Sequence, residues 1–213
     1  HNTSVKRPEK DAKGRVTRLE TTQLPSHEVL DVEHVTFDDV TTAMHVLEKL
    51  DGEGLERALS PLVDAYAVWI GQKRRAPLRA ELEPTRDNLM NKADVARKRI
   101  AEGIALLGSN AEVREAFTLM NRAMHVAAEQ ADKLREDPRY TGARRPEWRP
   151  FQLAFVLMNL PSIADPSHAD RGVADLIYFP TGGGKTEAYL GLIAFTLVLR
   201  RLRGKSRPDE GRG

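Results

Sequence analysis

From residue 36 onward, apolar side chains recur every three or four positions, the spacing of one face of an α-helix. Thr36-Phe37-Asp38-Asp39 has the form of a capping box with Asp in place of Glu, and Val40, Ala43, Met44, Leu47 and Leu50 then follow at helical spacing. They predict a first helix that stops at Asp51-Gly52. A second is predicted from Gly54 to about Lys73, with Leu55, Leu59, Leu62, Tyr66, Trp69 and Ile70 on one face. Pro61 falls inside it and should kink or divide it. Beyond a linker holding Pro77 and Pro84, a third pattern runs from about Thr85 to Leu107 and stops at Gly108. Ser109-Asn110-Ala111-Glu112 reads as another capping box, and Val113, Ala116, Phe117, Met120, Met124 and Ala127 form a fourth stripe that should end before Pro138. Residues 1–35 are polar and irregular and read as an arm or linker.

The pattern changes after the basic stretch Arg144-Arg145-Pro146. Phe151–Leu160 predicts an apolar helix, Pro161–Gly172 a polar loop, and Val173–Phe179, β-rich and largely apolar, a buried strand. A run of three glycines follows directly, and then a helix carrying Ala188, Tyr189, Leu192, Ile193, Phe195 and Leu199, apolar on nearly every side. Such a helix must be buried, most naturally against a parallel sheet. Only one good strand is present, so the sheet is expected to be missing from the chain. The expected fold is therefore mainly α: a helical domain over residues 36–145, with about four helices between 36 and 137, followed at 146–213 by the first βα unit of an incomplete α/β domain.

Composition narrows the classes. The 213 residues are 40% hydrophobic, 30% charged and 6% aromatic, the balance of a helix-rich globular chain. Lys and Arg number 33 against 31 Asp and Glu, so the net charge of +2 gives no footprint of nucleic-acid binding by itself. With no cysteine, disulfides, thiolate zinc and iron–sulfur clusters are excluded, and the six scattered histidines lack metal-ligand spacing, so no structural metal is expected. The chain opens without Met and without the apolar core of a secretion signal, and is expected to be cut or processed there. The longest apolar stretch, Ala188–Leu199, falls short of the roughly 20 residues that cross a bilayer, so a cytoplasmic protein without a membrane partner is expected.

The chemistry concentrates in Pro180-Thr181-Gly182-Gly183-Gly184-Lys185-Thr186. Successive glycines let backbone N–H groups turn toward one anion without side chains crowding it, and the positive end of the following helix adds to the attraction. Lys185 supplies an ammonium for the β- and γ-phosphates of ATP, and the Thr186 hydroxyl is placed to ligate Mg²⁺. Thr181, Gly182, Gly183, Gly184, Lys185 and Thr186 are the expected nucleotide-binding residues, with Lys185 and Thr186 acting in catalysis. The position between a predicted strand and a predicted helix is what the motif demands. Phe179 stands where the general pattern asks for Gly. Glu187 has two readings: it orients the loop or the waters of Mg²⁺, or it is an ordinary acid in a first helical turn. The plain alternative for the glycine run is a flexible turn.

Pro-Thr-Gly-x-Gly-Lys-Thr resembles the phosphate loop of superfamily 2 helicases, and Arg149-Pro150-Phe151-Gln152 resembles the Arg-Pro-aromatic-Gln element that precedes it in many of them. The Gln152 amide carries a donor and an acceptor that can pair with the N6 and N7 edge of adenine, which implies selection of ATP. Its bland reading is an exposed helix-start Gln beside Phe151. Together with Asn121-Arg122-Ala123-Met124 and the string from Phe179 to Gly191, these residues are similar to the helicase-like subunit of DISARM phage-defence systems, the DrmA-like family. The resemblance covers most of the chain from about Val16 and is tightest from Trp148 to Leu202. It implies that residues 146–213 begin a truncated RecA-like domain, and that the full-length parent is an ATP-dependent DNA helicase or translocase working with a partner subunit. No Asp-Glu pair on an apolar strand and no arginine finger follow the loop, so this segment alone is expected not to hydrolyse ATP.

Three basic groups, Lys73-Arg74-Arg75, Arg97-Lys98-Arg99 and Arg200-Arg201 with Arg203, are candidates for DNA phosphates. Nearby acids and helix-end positions favour solvated faces for the first two. Trp69, Met120 and Met124 read as core rather than as a base-stacking platform or cofactor contact. The alternative to an ATPase is a non-enzymatic helical scaffold within a defence complex, in which the loop only completes the fold.

Overall fold

The computed structural model describes residues 8–18, 20, 37, 39–134, 146–179 and 183–206. These belong to two compact units, 1–33 and 34–213. In the first, β1 (Glu9–Lys10) and β2 (Val16–Arg18) pair antiparallel around a turn. The Asp11 carboxylate shapes that turn by accepting the backbone N–H groups of Lys13 and Arg15, both at 2.9 Å, with Gly14 at positive φ.

The second unit is helical: α1 (Met44–Leu47), α2 (Gly52–Arg75), α3 (Glu83–Ser109), α4 (Ala111–Leu134), α5 (Pro150–Ala164) and α6 (Lys185–Ser206). Short 3-10 turns cover Ala80–Leu82 and Ala169–Gly172. Mainly α is thus the observed class. Asp51 caps α2 by accepting the Gly54 N–H at 2.8 Å, and the helix runs undivided through Pro61. Pro84 lies in the first turn of α3, where a missing N–H costs nothing, rather than in a linker. Asn110, not Ser109, caps α4, accepting the Val113 N–H at 3.1 Å.

The first predicted helix is much shorter than its apolar pattern. Thr36 and Asp38 lie outside the described residues, and only Met44–Leu47 is helical. Here tertiary pairing overrides periodicity. The Thr42 carbonyl accepts the Trp148 N–H at 2.9 Å, the Met44 N–H donates to Pro146, and Ala43 bridges Glu147. Backbone groups spent on a distant segment are not available for a helical ladder.

α3 packs between α2 and α5, while α4 packs on α6 and α1. One core joins them: Leu55 and Leu59 of α2, Leu107 of α3, Phe117 of α4, Leu157 of α5 and Phe195 of α6 are fully buried. Each such leucine contributes about 1.5–3 kcal/mol. Gly103 sets the α3–α5 distance, because a Cβ there would stand 2.0 Å from the Leu157 carbonyl oxygen. Trp148 enters the core ahead of α5, its Nε1 donating to Asn121 Oδ1 at 2.8 Å while Asn121 Nδ2 donates to the Phe117 carbonyl. Gly191 makes room for the indole, since a Cβ would meet it at 2.7 Å.

The expected strand is not formed, and no βα unit is seen among the described residues. Residues 173–179 have no regular secondary structure, and Leu176 and Tyr178 are 87% and 93% exposed. A strand needs a neighbour for its N–H and C=O groups. Among the described residues of this unit there is no second strand to supply one. The expectation that α6 is buried on nearly every side is met in part: Ala188, Phe195 and Leu199 are buried and the helix packs on α4 and α5 rather than on a sheet, whereas Tyr189 and Ile193 are exposed with Leu190 and Leu197. No helix among the described residues is long and apolar enough to cross a membrane.

Candidate phosphate-loop site

Three elements converge where α6 begins. Gly183 and Gly184 lead into Lys185, the first residue of the helix, and Thr186 and Glu187 follow in its exposed first turn. Pro180, Thr181 and Gly182 lie outside the described residues. Gly184 has φ +85°, and a Cβ there would stand 2.7 Å from Gln152 Nε2, so both backbone conformation and space require glycine. The first-turn N–H groups of α6 lack acceptors within the helix, which makes this end a place for negative charge.

The start of α5 holds the loop from the other side. Arg149 Nη1 donates to the Gly183 carbonyl at 2.5 Å, and Gln152 Nε2 donates to the Gly184 carbonyl at 2.6 Å. Gln152 Oε1 meanwhile accepts the Arg149 N–H at 2.7 Å. At 3% exposure, Gln152 is a buried tie between helix start and loop, not an exposed helix-start residue. These bonds engage one of its two N–H donors and one of the two lone pairs on its oxygen. Arg149 has no place among the residues expected from sequence. Its adjacency to Gln152 in the Arg-Pro-Phe-Gln string was the available signal.

Phe179 closes the arrangement. Its ring stacks on Phe151 with centroids 4.1 Å apart and planes 11° from parallel, and its carbonyl accepts a hydrogen bond from Lys185 Nζ. The ammonium therefore reaches back across the loop, as a phosphate-holding lysine does, but to a backbone oxygen. The position that departs from the general glycine pattern is thus occupied by a ring with a specific stacking partner.

The segment ahead of Phe179 is fastened to the bundle by charge. Arg99 of α3 makes a two-pronged pair with Asp175, both bonds 2.7 Å, and its Nε lies 2.9 Å from Asp170 Oδ2. The hydrogen bonds that Arg99 donates to Asp175 hold the guanidinium pKa above its ordinary value against the opposing effect of burial. His168 Nε2 lies 3.0 Å from Glu102 Oε1, and Arg171 donates to the Ser162 carbonyl at 2.9 Å.

The basic groups divide. Arg97 and Lys98 both pair with Asp94, at 2.8 and 3.0 Å, in keeping with a solvated face, whereas Arg99 is a part-buried structural cation. Arg74 donates to Asn91, and Lys73 stands 5.8 Å from the centroid of the Trp69 ring. Trp69 is 41% exposed and not core; Met120 is fully buried, as expected. Arg203 donates to the Ala164 carbonyl at 2.7 Å and lies 3.7 Å from Glu112. Among the described residues no group of three or more His, Asp and Glu is arranged to hold a metal ion.

No family model matches the chain. A curated relative does: DISARM protein DrmA of Bacillus paralicheniformis (strain ATCC 9945a / NCIMB 11709 / CD-2) is 40% identical over an alignment of 151 residues that covers 68% of the chain. The chain is a DrmA-like homologue. It spans only 13% of the length of that DrmA, so the likeness concerns one part of a much longer protein.

Proposed function

We propose that this chain is the ATP-binding portion of a superfamily 2 DNA helicase or translocase that acts in anti-phage defence, and that Gly183–Thr186, with Thr181 and Gly182, is its phosphate loop. The observation that carries the reading is the joining of two motifs 32 to 34 positions apart in sequence: Gln152 and Arg149 bond the carbonyls of Gly184 and Gly183 at the start of α6. They bring a glycine loop, a lysine and a helix N-terminus together, the parts that a phosphate group needs. Similarity to DrmA gives the defence setting.

In this reading the residues present fit a triphosphate with Mg²⁺. Lys185 holds the β- and γ-phosphates while the Phe179 carbonyl, bonded to the same three-donor ammonium, fixes its direction. The Thr186 hydroxyl takes the metal, the first-turn N–H groups of α6 take phosphate oxygens, and Gln152 reads the adenine. Glu187, exposed and on the same turn, orients the loop or the waters around the metal. Bound ATP supplies the free energy for movement along DNA. Hydrolysis, DNA binding and a partner subunit are assigned to the full-length protein rather than to these residues alone.

The scaffold reading keeps one observation in its favour: the loop is internally satisfied, with Lys185, Gln152 and Arg149 all bonded within the chain. DNA-stimulated ATP hydrolysis by the full-length protein separates the two. The ATPase reading expects activity that Lys185→Ala reduces by at least about a hundredfold, the scale of removing a charge from phosphoryl transfer. Activity indifferent to that substitution contradicts it and leaves the scaffold.

A further inference from the structure

We propose that Arg99 is a positioning residue for the phosphate loop, a latch by which the helical bundle sets nucleotide affinity; this rests on the ATP-binding reading above. The latch consists of one part-buried guanidinium and two carboxylates from a distant stretch. Arg99 Nη1 and Nη2 each donate to Asp175 at 2.7 Å, across 76 positions of sequence, and Nε stands 2.9 Å from Asp170. The Arg99 side chain is only 11% exposed, and that of Asp175 15%. Its sequence neighbours behave differently, since Arg97 and Lys98 pair locally with Asp94.

The physical argument turns on what else holds residues 173–179. A strand is fixed by its ladder, but this segment has none, and its Leu176 and Tyr178 side chains point into solvent. Its place therefore depends on side-chain anchors at its two ends. Asp175 is held by Arg99 near the beginning. Phe179 is held by the Phe151 ring at the end, and its carbonyl takes the Lys185 ammonium. Releasing Asp175 frees the segment from Val173 to Phe179, and with it the oxygen that aligns Lys185. Because α3 also packs on α2 and α5, a shift of that helix is passed to the loop through the same pair. A planar fork gripping a carboxylate with two parallel bonds transmits orientation as well as distance.

A carboxylate inside an otherwise apolar run is independent support for a pair that holds the segment. Asp175 stands between Val173-Ala174 and Leu176-Ile177. Burying it unpaired would be costly, so the segment sits where it does only while Arg99 is present.

The test uses the full-length protein, a fluorescent ATP analogue with Mg²⁺, and circular dichroism to confirm that each variant is folded at the assay temperature. Arg99→Ala and Asp175→Asn are each expected to weaken analogue binding on the order of tenfold, the scale seen for residues that touch no ligand. The double variant should be no weaker than either single one, because both break the same contact. Arg99→Lys, a point charge without the fork, should fall between wild type and Arg99→Ala. Wild-type binding by Arg99→Ala and Asp175→Asn, in a protein whose Lys185→Ala form has lost binding, overturns the latch and leaves the ATP reading intact. Losses that multiply in the double variant also overturn it. Should Lys185→Ala bind as wild type, the ATP reading fails, and a spin label at Leu176→Cys, in a background with any other cysteines replaced, decides the latch. Arg99→Ala should make that label more mobile, and an unchanged line shape refutes the latch.

Discussion

Gln152 and Gly184 are 32 positions apart, yet the side-chain amide of one donates to the backbone carbonyl of the other at 2.6 Å. The same amide accepts the Arg149 N–H, so one buried side chain satisfies the start of α5 and fixes the last glycine before α6. Gln152→Leu should strip both partners. A loss of about 1–3 kcal/mol in denaturant unfolding is expected, from a buried N–H and a carbonyl left without partners. Comparing ATP with GTP then separates its two roles. Weakening of both nucleotides marks a tie to the loop, and selective weakening of ATP marks an adenine reader.

Gly103→Ala should be among the most damaging small substitutions in the bundle. The added methyl would lie 2.0 Å from the Leu157 carbonyl oxygen, a backbone atom that cannot swing aside. Separating α3 from α5 should cost about 1–3 kcal/mol or more. A melting temperature equal to wild type would show that the two helices do not approach in this way.

The 213-residue chain has two tryptophans in opposite environments. Trp148 is buried with its N–H bonded to Asn121, while Trp69 is partly exposed beside Lys73. Iodide should quench only part of the fluorescence, helped by the adjacent cation. Trp69→Phe should abolish the quenchable part and leave a blue-shifted, protected emission.

Asp165 follows α5, and its carboxyl is held below the usual carboxylate range, first by the Ser167 hydroxyl and then by the Ser167 backbone N–H. A depressed folded value means that the ionised form stabilises the turn above the unfolded value. That contribution is lost as pH falls through the lower folded value. Ser167→Ala should move the Asp165 titration upward in carbon-13 NMR, toward but not fully to the ordinary range, because the backbone bond and the charges of His168 and Arg203 remain.

Long periodic stretches were legible in the chain because their side chains meet partners at every turn. α2, α3 and α4 lie within a few residues of where the apolar spacing places them. Val40 to Leu50 carries the same spacing, but Thr42 and Met44 spend backbone groups on Trp148 and Pro146, a pairing that no local pattern reveals. Val173–Phe179 has strand composition without a neighbour to make it a strand. Trp69 lies at helical spacing with core residues, yet it is exposed while its neighbour Ile70 is buried, so it stands at the edge of the apolar face. Gln152, Lys185 and Thr186 stood out because short strings carry their chemistry. Arg99 did not, since its partners are distant. The clue lay in Asp175, a charge in an apolar run that has to be answered from somewhere.

Affinity for Mg²⁺ and an ATP analogue, measured on the full-length protein and on its Lys185→Ala form by isothermal titration calorimetry, tests the central claim most directly. The phosphate-loop account predicts saturable binding with one site that Lys185→Ala weakens by at least about tenfold, the cost of losing one charge-assisted bond to phosphate. Equal affinity in both proteins, or none in either, would contradict it.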